Sequence, residues 1–324
     1  MNPFSLVPVF KDYLWGGTKL RTQFNKRTDM SPLAESWELA AHPDGDCRIA
    51  DGPFAGVALS QFLRQFPESM GSGRAAEGEL PVLIKLIDAR EPLSIQVHPD
   101  DGYAMRMEGS AGKTEMWYVL DREPGAFLYC GFERDVSREE LARRIEDGTV
   151  TDVLRKMSVE PGDVFFMEAG TVHAIGAGIV IAEIQQNSNT TYRVFDYGRR
   201  GPDGKERPLH VAKALDVAKR GPACMEPPGS GVPVALPGGK LRRLARCAYF
   251  SAELLDLSGV CEYPTDGTTF VSILCINGSG VLTEQGWRLE VEKGRSVFVP
   301  ARKGSVVLEG NGAFLLTTVP ENGA

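Results

Sequence analysis

The chain contains an internal repeat, in which Val159-Glu-Pro-Gly162-Asp-Val-Phe-Phe-Met-Glu-Ala-Gly-Thr-Val-His173 resembles Val291-Glu-Lys-Gly294-Arg-Ser-Val-Phe-Val-Pro-Ala-Arg-Lys-Gly-Ser305. In both copies a glycine turn precedes a short apolar strand. Such turns are common, so chance similarity is the alternative. If the repeat is real, the two stretches are equivalent corners of two related β-sandwiches. Aligning Gly162 with Gly294 places His173 opposite Ser305, so only the first sandwich keeps a metal-ligand residue at this corner.

Short strands separated by tight turns predict an all-β fold of two sandwiches with short helical insertions. Residues 1–222 are predicted to form the first domain, which bears the metal-ligand residue, and residues 240–324 the second. Residues 223–239 are rich in proline and glycine, which is typical of a linker. Apolar spacing and a capping box predict helical insertions at residues 59–66, 137–157 and 209–219. Strands of the second domain are predicted at residues 250–257, 269–276, 280–284, 288–292, 296–299, 305–309 and 313–319.

The composition argues against several classes of function. Of the 324 residues, 42% are hydrophobic and 24% charged, as in an ordinary globular protein. The net charge of −7 argues against nucleic acid and anionic membranes as partners, and no apolar run reaches the roughly 20 residues of a membrane span.

The start of the chain lacks signal-peptide features, so a cytoplasmic protein is expected. The absence of obvious heptads favours a monomer, and six scattered cysteines are expected to be reduced thiols.

A strand with one polar face supplies candidate metal ligands. Apolar and polar residues alternate in Leu93-Ser-Ile-Gln-Val-His98, so its polar side chains point to one side. Glu115 opens the next predicted strand, and His173 belongs to the repeat. Gln96, His98, Glu115 and His173 therefore form a candidate four-ligand set, which suits Zn²⁺, Fe²⁺, Co²⁺ or Mn²⁺. The alternative is a group of satisfied polar side chains on the inner face of a barrel.

The other two of the four histidines are expected to be structural. His42 lies in a turn sequence, and the position two residues before it is Ala40, where His98 has Gln96. His210 opens a predicted surface helix and is expected to cap it or to face solvent.

Charged residues also occur where the sequence is otherwise apolar. Lys113 lies two residues before Glu115 and should share its strand face, although a solvated loop lysine is the alternative. Lys85, Glu183 and Arg193 lie on predicted strands rich in apolar residues, where a charge needs a partner or a wet cavity. A buried structural pair of Glu183 with Arg193 explains those two residues almost as well as catalysis does.

Four motifs in order resemble the type I phosphomannose isomerases, a family of cupin-fold zinc enzymes. The motifs are Leu93-Ser-Ile-Gln-Val-His-Pro-Asp100, Gly112-Lys-Thr-Glu-Met-Trp117, Gly170-Thr-Val-His-Ala174, and Glu183-Ile-Gln-Gln-Asn-Ser leading to Tyr192-Arg-Val-Phe-Asp-Tyr. The resemblance covers roughly Trp15 to Arg199, and the chain looks like the short bacterial form. It implies two cupin (jelly-roll) sandwiches, the second of them degenerate, and one Zn²⁺ per chain.

The resemblance also implies roles for individual residues. It gives the zinc ligands as Gln96, His98, Glu115 and His173. It places three further residues in the active site, namely Lys113, Glu183 and Arg193. Two residues are expected to contact the substrate: Lys85, at its phosphate, and Ser94, on the polar strand face.

The implied reaction is reversible conversion of D-mannose 6-phosphate to D-fructose 6-phosphate through an enediolate. It needs a base, a proton donor and stabilisation of oxygen charge, which a divalent metal assists. Glu183 is the first candidate for the proton shuttle, because burial would raise its pKa; Lys113 and a metal-bound water are its rivals. Arg193 would stabilise the enediolate or bind the phosphate, which Lys85 would help to neutralise.

Two other functions remain open at this point. Another cupin metalloenzyme, an epimerase or an oxygenase on a different substrate, is the first, and an oxygenase would require Fe²⁺ and consume O₂. A non-catalytic sugar-phosphate sensor is the second, and it would bind mannose 6-phosphate without turnover.

Overall fold

The computed structural model describes residues 1–73, 79–201, 204–223, 226–284 and 287–321. Its N-terminal part folds as two antiparallel sheets. With strands numbered along the chain, one sheet contains β2 (Val9–Lys11), β3 (Glu35–Leu39), β7 (Val82–Ala89), β9 (Glu115–Arg122), β12 (Val164–Met167) and β14 (Ile179–Gln186). The other contains β8 (Ile95–Val97), β10 (Phe127–Phe132), β11 (Leu154–Ser158), β13 (His173–Ile175) and β15 (Tyr192–Phe195). Apolar residues of both sheets, such as Trp117 and Leu128, form one buried cluster, so the two layers are a sandwich.

The C-terminal part forms a sheet of nine strands that includes two strands from the N-terminal part. Its strands are β1 (Phe4–Val7), β6 (Arg48–Ile49), β16 (Val234–Leu236), β17 (Gly239–Arg246), β18 (Ser251–Asp266), β19 (Val271–Glu284), β20 (Trp287–Glu292), β21 (Ser296–Val299) and β22 (Lys303–Thr318). Strand β1 pairs with both β21 and β6, which joins the two parts of the chain. A two-stranded ribbon of β4 (Ala41–His42) and β5 (Gly45–Asp46) completes the strands of the described residues. The predicted all-β class with short helical insertions is confirmed.

Two breaks predicted between the C-terminal strands are wrong. The separate strands expected at 269–276 and 280–284 fall in one strand, β19, which begins at Val271, and those expected at 305–309 and 313–319 fall in β22, which ends at Thr318. Glycines interrupt the apolar pattern there, but Gly310 lies opposite both Gly259 and Gly280. A Cβ atom at Gly310 would lie 2.5 Å from the oxygen of Ser279. The glycines therefore allow close strand approach and do not end the strands.

The described helices are short and lie where the chain leaves the sheets. They are α1 (Lys19–Gln23), α2 (Leu59–Gln65), α3 (Asp101–Glu108), α4 (Arg138–Glu146) and α5 (Val211–Val217), with 3₁₀ turns at Gly52–Phe54, Pro67–Met70 and Val150–Val153. The predicted cap of α4 is confirmed, because Ser137 Oγ accepts a hydrogen bond from the Glu140 amide at 3.0 Å. The expected continuation of helix to Met157 is wrong, because pairing with β10 makes that segment strand β11. Helix α3 was not predicted, and Asp100 caps it by accepting from the Tyr103 amide.

The two copies of the repeat adopt matching turns. Gly162 and Gly294 have φ angles of 96° and 86°, which favour glycine, and a four-residue strand begins two residues after each. His173 begins β13, whereas Ser305 lies within β22. The matching turns support a real repeat.

Three further observations concern the whole chain. Residues 223–239, expected to be a linker, contain β16, which pairs with β17. The five cysteines in the described residues are free thiols, and Cys224 lies outside those residues. In the described part of the chain, no helix has the length and apolar character needed to cross a membrane.

Candidate active site

A row of large and charged side chains crosses the six-stranded sheet. Lys85 on β7 lies opposite Glu183 on β14, which in turn lies opposite Trp117 on β9. On its other side Lys85 lies opposite Trp37 of β3. Because residues directly opposite in antiparallel strands share a face, the strand register brings these side chains together.

A second row crosses the five-stranded sheet. Gln96 on β8 lies opposite His173 on β13 and, on its other side, opposite Arg193 on β15. His98 immediately follows β8, and Glu115 is the first residue of β9. Residues far apart in sequence are therefore adjacent because three short strands pair in this register.

A cavity of about 270 Å³ lies between the two sheets and is lined by residues of both rows. Six predicted site residues line it: Lys85, Ser94, Gln96, Lys113, Glu183 and Arg193. The other three predicted residues, His98, Glu115 and His173, are at most 1% exposed and lie beside Lys113 and Gln96. The structure thus brings all nine residues into one region.

His98, Glu115 and His173 place three potential ligand atoms within 4.8 Å of one another. His173 Nε2 lies 3.3 Å from Glu115 Oε1, and His98 Nε2 lies 3.6 Å from Glu115 Oε2. Ligands bound at about 2.0–2.1 Å to a tetrahedral ion lie about 3.3–3.4 Å apart, so this spacing fits a zinc-sized ion. Both Glu115 oxygens are buried; Oε2 pairs with Lys113 Nζ, whereas Oε1 has no hydrogen-bond partner among the described residues, as expected of a ligand atom.

Backbone contacts orient both imidazoles toward this cluster. His98 Nδ1 lies 2.8 Å from the oxygen of Thr190, and His173 Nδ1 lies 2.9 Å from that of Thr171. Because a carbonyl only accepts, each Nδ1 carries the proton and each Nε2 offers a lone pair. Burial and Lys113 lower the pKa of His98, which keeps its ring neutral.

The Gln96 amide lies 3.4 Å from His173 Nε2. A half-turn of the amide exchanges its oxygen and nitrogen, which have nearly the same shape. Gln96 therefore has the position and an oxygen atom suited to a fourth ligand.

Lys113 connects the cluster to the cavity. Its Nζ lies 2.7 Å from Glu115 Oε2, 3.3 Å from His98 Nε2 and 4.0 Å from Glu183 Oε1. Burial opposes the ionised form of Glu115, but the Lys113 ammonium holds the pKa of this carboxyl well below its usual range. The solvated loop position considered for Lys113 is wrong, because its side chain is buried among these groups.

Glu183 lies between a tryptophan and lysines. Its Oε1 accepts a hydrogen bond from Trp117 Nε1 at 3.0 Å, and its Oε2 lies 3.3 Å from Lys85 Nζ. Burial raises the pKa of Glu183, which brings a carboxyl closer to the range useful for proton transfer near neutral pH. Lys85 also lies 3.7 Å from Glu35, and although burial opposes it, Glu35 and Glu183 raise the pKa of Lys85.

The structural Glu183–Arg193 pair considered from the sequence is wrong. Glu183 contacts lysines and Trp117, whereas the Arg193 Nη1 donates to the oxygen of Pro208 at 2.9 Å. The Nε of Arg193 is buried and has no hydrogen-bond partner among the described residues. A buried guanidinium donor beside a cavity suits an anionic ligand.

A second arginine at the cavity was not predicted. Arg207 lines the same cavity as Arg193, and its Nε and Nη2 donate to Asp196 at 2.7 Å and 2.6 Å. Asp196 also accepts a hydrogen bond from Arg199 Nε at 3.2 Å. Burial and the neighbouring Arg207 lower the pKa of Arg193, as expected where like charges gather. The end of the cavity lined by these arginines is therefore positively charged.

Other lining residues were also missed, among them Glu35, Tyr13, Trp15, Asn189 and Thr191. Glu35 carried a usable signal, because it is an acidic residue in a segment otherwise predicted to be strand. The aromatic and polar lining residues carried no signal that separates them from ordinary loop residues.

The two remaining histidines occupy structural positions. His42 Nδ1 accepts from the Asp44 amide at 3.0 Å, as a turn residue does. His210 directly precedes α5, and its Nδ1 accepts from the Arg193 amide at 3.1 Å. His210 therefore supports the strand that carries Arg193.

Comparison with family models gives two matches. Residues 4–123 match phosphomannose isomerase type I, catalytic domain. Residues 240–319 match mannose-6-phosphate isomerase, cupin domain.

Comparison with individual proteins extends the similarity to nearly the whole chain. A mannose-6-phosphate isomerase of Bacillus subtilis is 36% identical over 316 residues, which are 95% of this chain and 96% of that protein. A crystal structure of the mannose 6-phosphate isomerase from Bacillus subtilis matches with a TM-score of 0.91 and 33% identity, covering 98% of this chain and 99% of the other. A zinc-bound mannose 6-phosphate isomerase structure, at 20% identity, matches in fold with a TM-score of 0.78 over 98% and 99% of the two chains.

Proposed function

The chain belongs to the type I phosphomannose isomerases, and from this we propose that the cavity between its two N-terminal sheets is the active site. The enzyme catalyses reversible isomerisation of D-mannose 6-phosphate to D-fructose 6-phosphate. One observation carries the assignment of the site. The buried cluster of His98, Glu115 and His173 adjoins a cavity lined by Lys113 and Glu183.

We propose that this cluster, with Gln96, holds one Zn²⁺. The spacing of the ligand atoms, the burial of the Glu115 carboxylate and the Nδ1 contacts of His98 and His173 support this choice. A bound Zn²⁺ would supply positive charge that stabilises the negative oxygens of the enediolate.

We propose that Glu183 transfers the proton between the two reacting carbons. In the open-chain aldose its carboxylate would take the proton from C2, and the same carboxyl would return it at C1 as the ketose forms. The hydroxyl proton of O2 moves to O1 in the same conversion, so the atoms balance. Trp117 Nε1 and Lys85 Nζ fix the two Glu183 oxygens, which leaves the carboxylate little rotational freedom.

Lys113 is the group best placed to donate a hydrogen bond to the sugar oxygens. Its ammonium lies between Glu115 and Glu183 at the cavity surface. We propose that it donates a hydrogen bond to O1 or O2, where charge develops in the enediolate. Lys85 is held by Glu35 and Glu183, so we propose that it fixes the Glu183 charge and adds positive potential for the phosphate.

The phosphate needs cationic side chains that line the cavity. Arg193 has a buried, unpartnered Nε, and Arg207 lines the cavity beside it. We propose that these two guanidinium groups bind the phosphate, because bidentate donors match its oxygens. Ser94 lines the same cavity, and we propose that it contacts a sugar hydroxyl.

A coupled assay tests the proposal. The purified protein should form fructose 6-phosphate from mannose 6-phosphate, and glucose 6-phosphate should serve as the control substrate for epimer selectivity. Mutation of Lys113 to Met should remove turnover without unfolding the protein. Binding of mannose 6-phosphate without turnover would contradict the proposal and favour a sugar-phosphate sensor.

We further propose that the protein works in the cytoplasm as a monomer. The net charge of −7 and the lack of obvious heptads support this expectation. Light scattering coupled to size-exclusion chromatography should give the mass of one chain; a dimer mass would contradict the monomer.

A further inference from the structure

A tyrosine of the C-terminal domain contacts the segment beside the active site. Tyr249 lies between β17 and β18, and its hydroxyl donates to Asp101 Oδ2 at 2.8 Å. We propose that Tyr249 and Asp101 are positioning residues, through which the C-terminal domain holds Lys113 and the neighbouring ligand residues in place. The inference rests on the proposed roles of Lys113 and of the metal ligands.

Asp101 fixes the backbone on both sides of Lys113. Its Oδ1 accepts from the Gly112 amide at 2.8 Å and from Gln186 Nε2 at 2.8 Å. Gln186 Oε1 in turn accepts from the Thr114 amide at 2.8 Å. Asp101 therefore fixes both amides that flank Lys113. It binds the Gly112 amide directly and the Thr114 amide through Gln186.

Close packing also fixes the positions of Lys113 and of Glu115, two residues later. A Cβ atom at Gly112 would lie 2.5 Å from the backbone of Asp100 and Asp101, so this segment lies directly against the turn that follows His98. The Lys113 amide also donates to the oxygen of Pro99 at 3.0 Å. A shift of Asp101 would therefore move Lys113 relative to its neighbours.

Tyr249 is the contact that joins this arrangement to the second domain. Its ring packs against the core cluster that contains residues of both domains. The Gly112 amide and Gln186 Nε2 donate to Oδ1 of Asp101, whereas the tyrosine hydroxyl donates to Oδ2. Hydrogen bonds to a carboxylate are strong, and losing this one would weaken the positioning of the carboxylate. The second domain thus helps to position active-site residues without supplying a catalytic residue itself.

Mutation of Tyr249 to Phe removes only the hydroxyl and tests the inference in the zinc-loaded protein. We expect kcat to fall roughly three- to tenfold with KM nearly unchanged, because the reacting groups lose alignment more than the substrate loses contacts. A chromogenic chelator should also remove zinc several times faster than from the unmodified protein. The second readout needs no turnover, so it remains informative if the proposed activity is wrong.

The matched control is Tyr263→Phe. Tyr263 lies in the same domain, and its hydroxyl donates to Glu253 at 2.8 Å, away from the cavity. This control should leave kcat and the rate of zinc loss unchanged. Asp101→Ala, which removes the hydrogen bonds from Tyr249, Gly112 and Gln186, should move both readouts further than Tyr249→Phe does.

Three results would overturn the inference. The first is a Tyr249→Phe variant that matches Tyr263→Phe in both kcat and zinc loss. The second is a lower melting temperature with both readouts unchanged, which would mean a purely structural role. The third is an Asp101→Ala variant no more affected than Tyr249→Phe. A change in either readout beyond that of the control, together with a larger change in Asp101→Ala, supports the inference.

Discussion

At the residue scale, the site depends on charges that are buried in opposite-sign contacts. Lys113 lies 2.7 Å from Glu115, and Lys85 lies 3.3 Å from Glu183. Buried charges of this kind are stable only when each has a partner or a ligand. The two pairs differ in function, since Glu115 faces the histidine cluster and Glu183 faces the cavity. Each can therefore be changed separately.

Mutation of Glu183 to Gln should lower kcat by roughly 10²–10⁴-fold, the usual contribution of a general base. The amide keeps an oxygen that can accept from Trp117, so folding should be retained, as judged by circular dichroism. Glu160→Gln, at an exposed residue that pairs with Arg122, is the control and should keep wild-type turnover. Near wild-type activity of the Glu183 variant would exclude it as the base.

Mutation of Arg207 to Gln should raise KM for mannose 6-phosphate roughly tenfold or more, since a hydrogen bond to a charged group contributes about 1.5–3 kcal/mol. The value of kcat should change little, because Arg207 is assigned to the phosphate and not to the reacting carbons. The control is Arg200→Gln, at a surface residue that pairs with Glu206. An unchanged KM would remove Arg207 from the phosphate site.

Local patterns were sufficient to predict the ligand candidates but not the complete cavity. Gln96, His98 and Glu115 follow from strand alternation, and His173 from the repeat. Arg207 lies in a segment without a strand pattern, and in the structure it lines the cavity and contacts Asp196. Such a position depends on how distant segments pack, which one local window of sequence does not contain.

At the element scale, the register between strands creates the site. A shift of one residue between β7 and β14 would end the Lys85–Glu183 pairing and turn one of the two side chains away from the cavity.

The elements themselves were mostly predictable, whereas α3 was missed because a turn sequence also serves as its N-cap. The glycines of β19 and β22 were misread because a glycine that ends a strand and one that allows close strand approach have the same sequence signal.

Mutation of Gly310 to Ala should destabilise the C-terminal sheet by about 1–3 kcal/mol, a range typical of forced contacts in packed regions. The new Cβ would lie 2.5 Å from the oxygen of Ser279. Gly304→Ala separates this clash from backbone strain, because Gly304 also has a positive φ but nothing within 4 Å of its Cβ position. Thermal denaturation should show a clearly larger loss for Gly310→Ala. Equal losses would mean that strain alone matters.

At the scale of the whole molecule, the two domains form one connected unit. Strand β1 joins the C-terminal sheet, and one core cluster contains residues from both halves, such as Phe62 and Phe250. The sequence indicated two related sandwiches, one of them without metal ligands. It did not indicate that the N-terminal strand joins the C-terminal sheet, because β1 has only four residues and its partner is almost 300 residues away.

The central claim is that one metal ion, held by Gln96, His98, Glu115 and His173, is required for the isomerisation. The most direct measurement is metal content together with fructose 6-phosphate formation, before chelation, after chelation and after addition of Zn²⁺. We predict about one zinc per chain, loss of turnover in parallel with loss of metal, and recovery on addition of zinc. Full activity in protein that holds no metal would contradict the account.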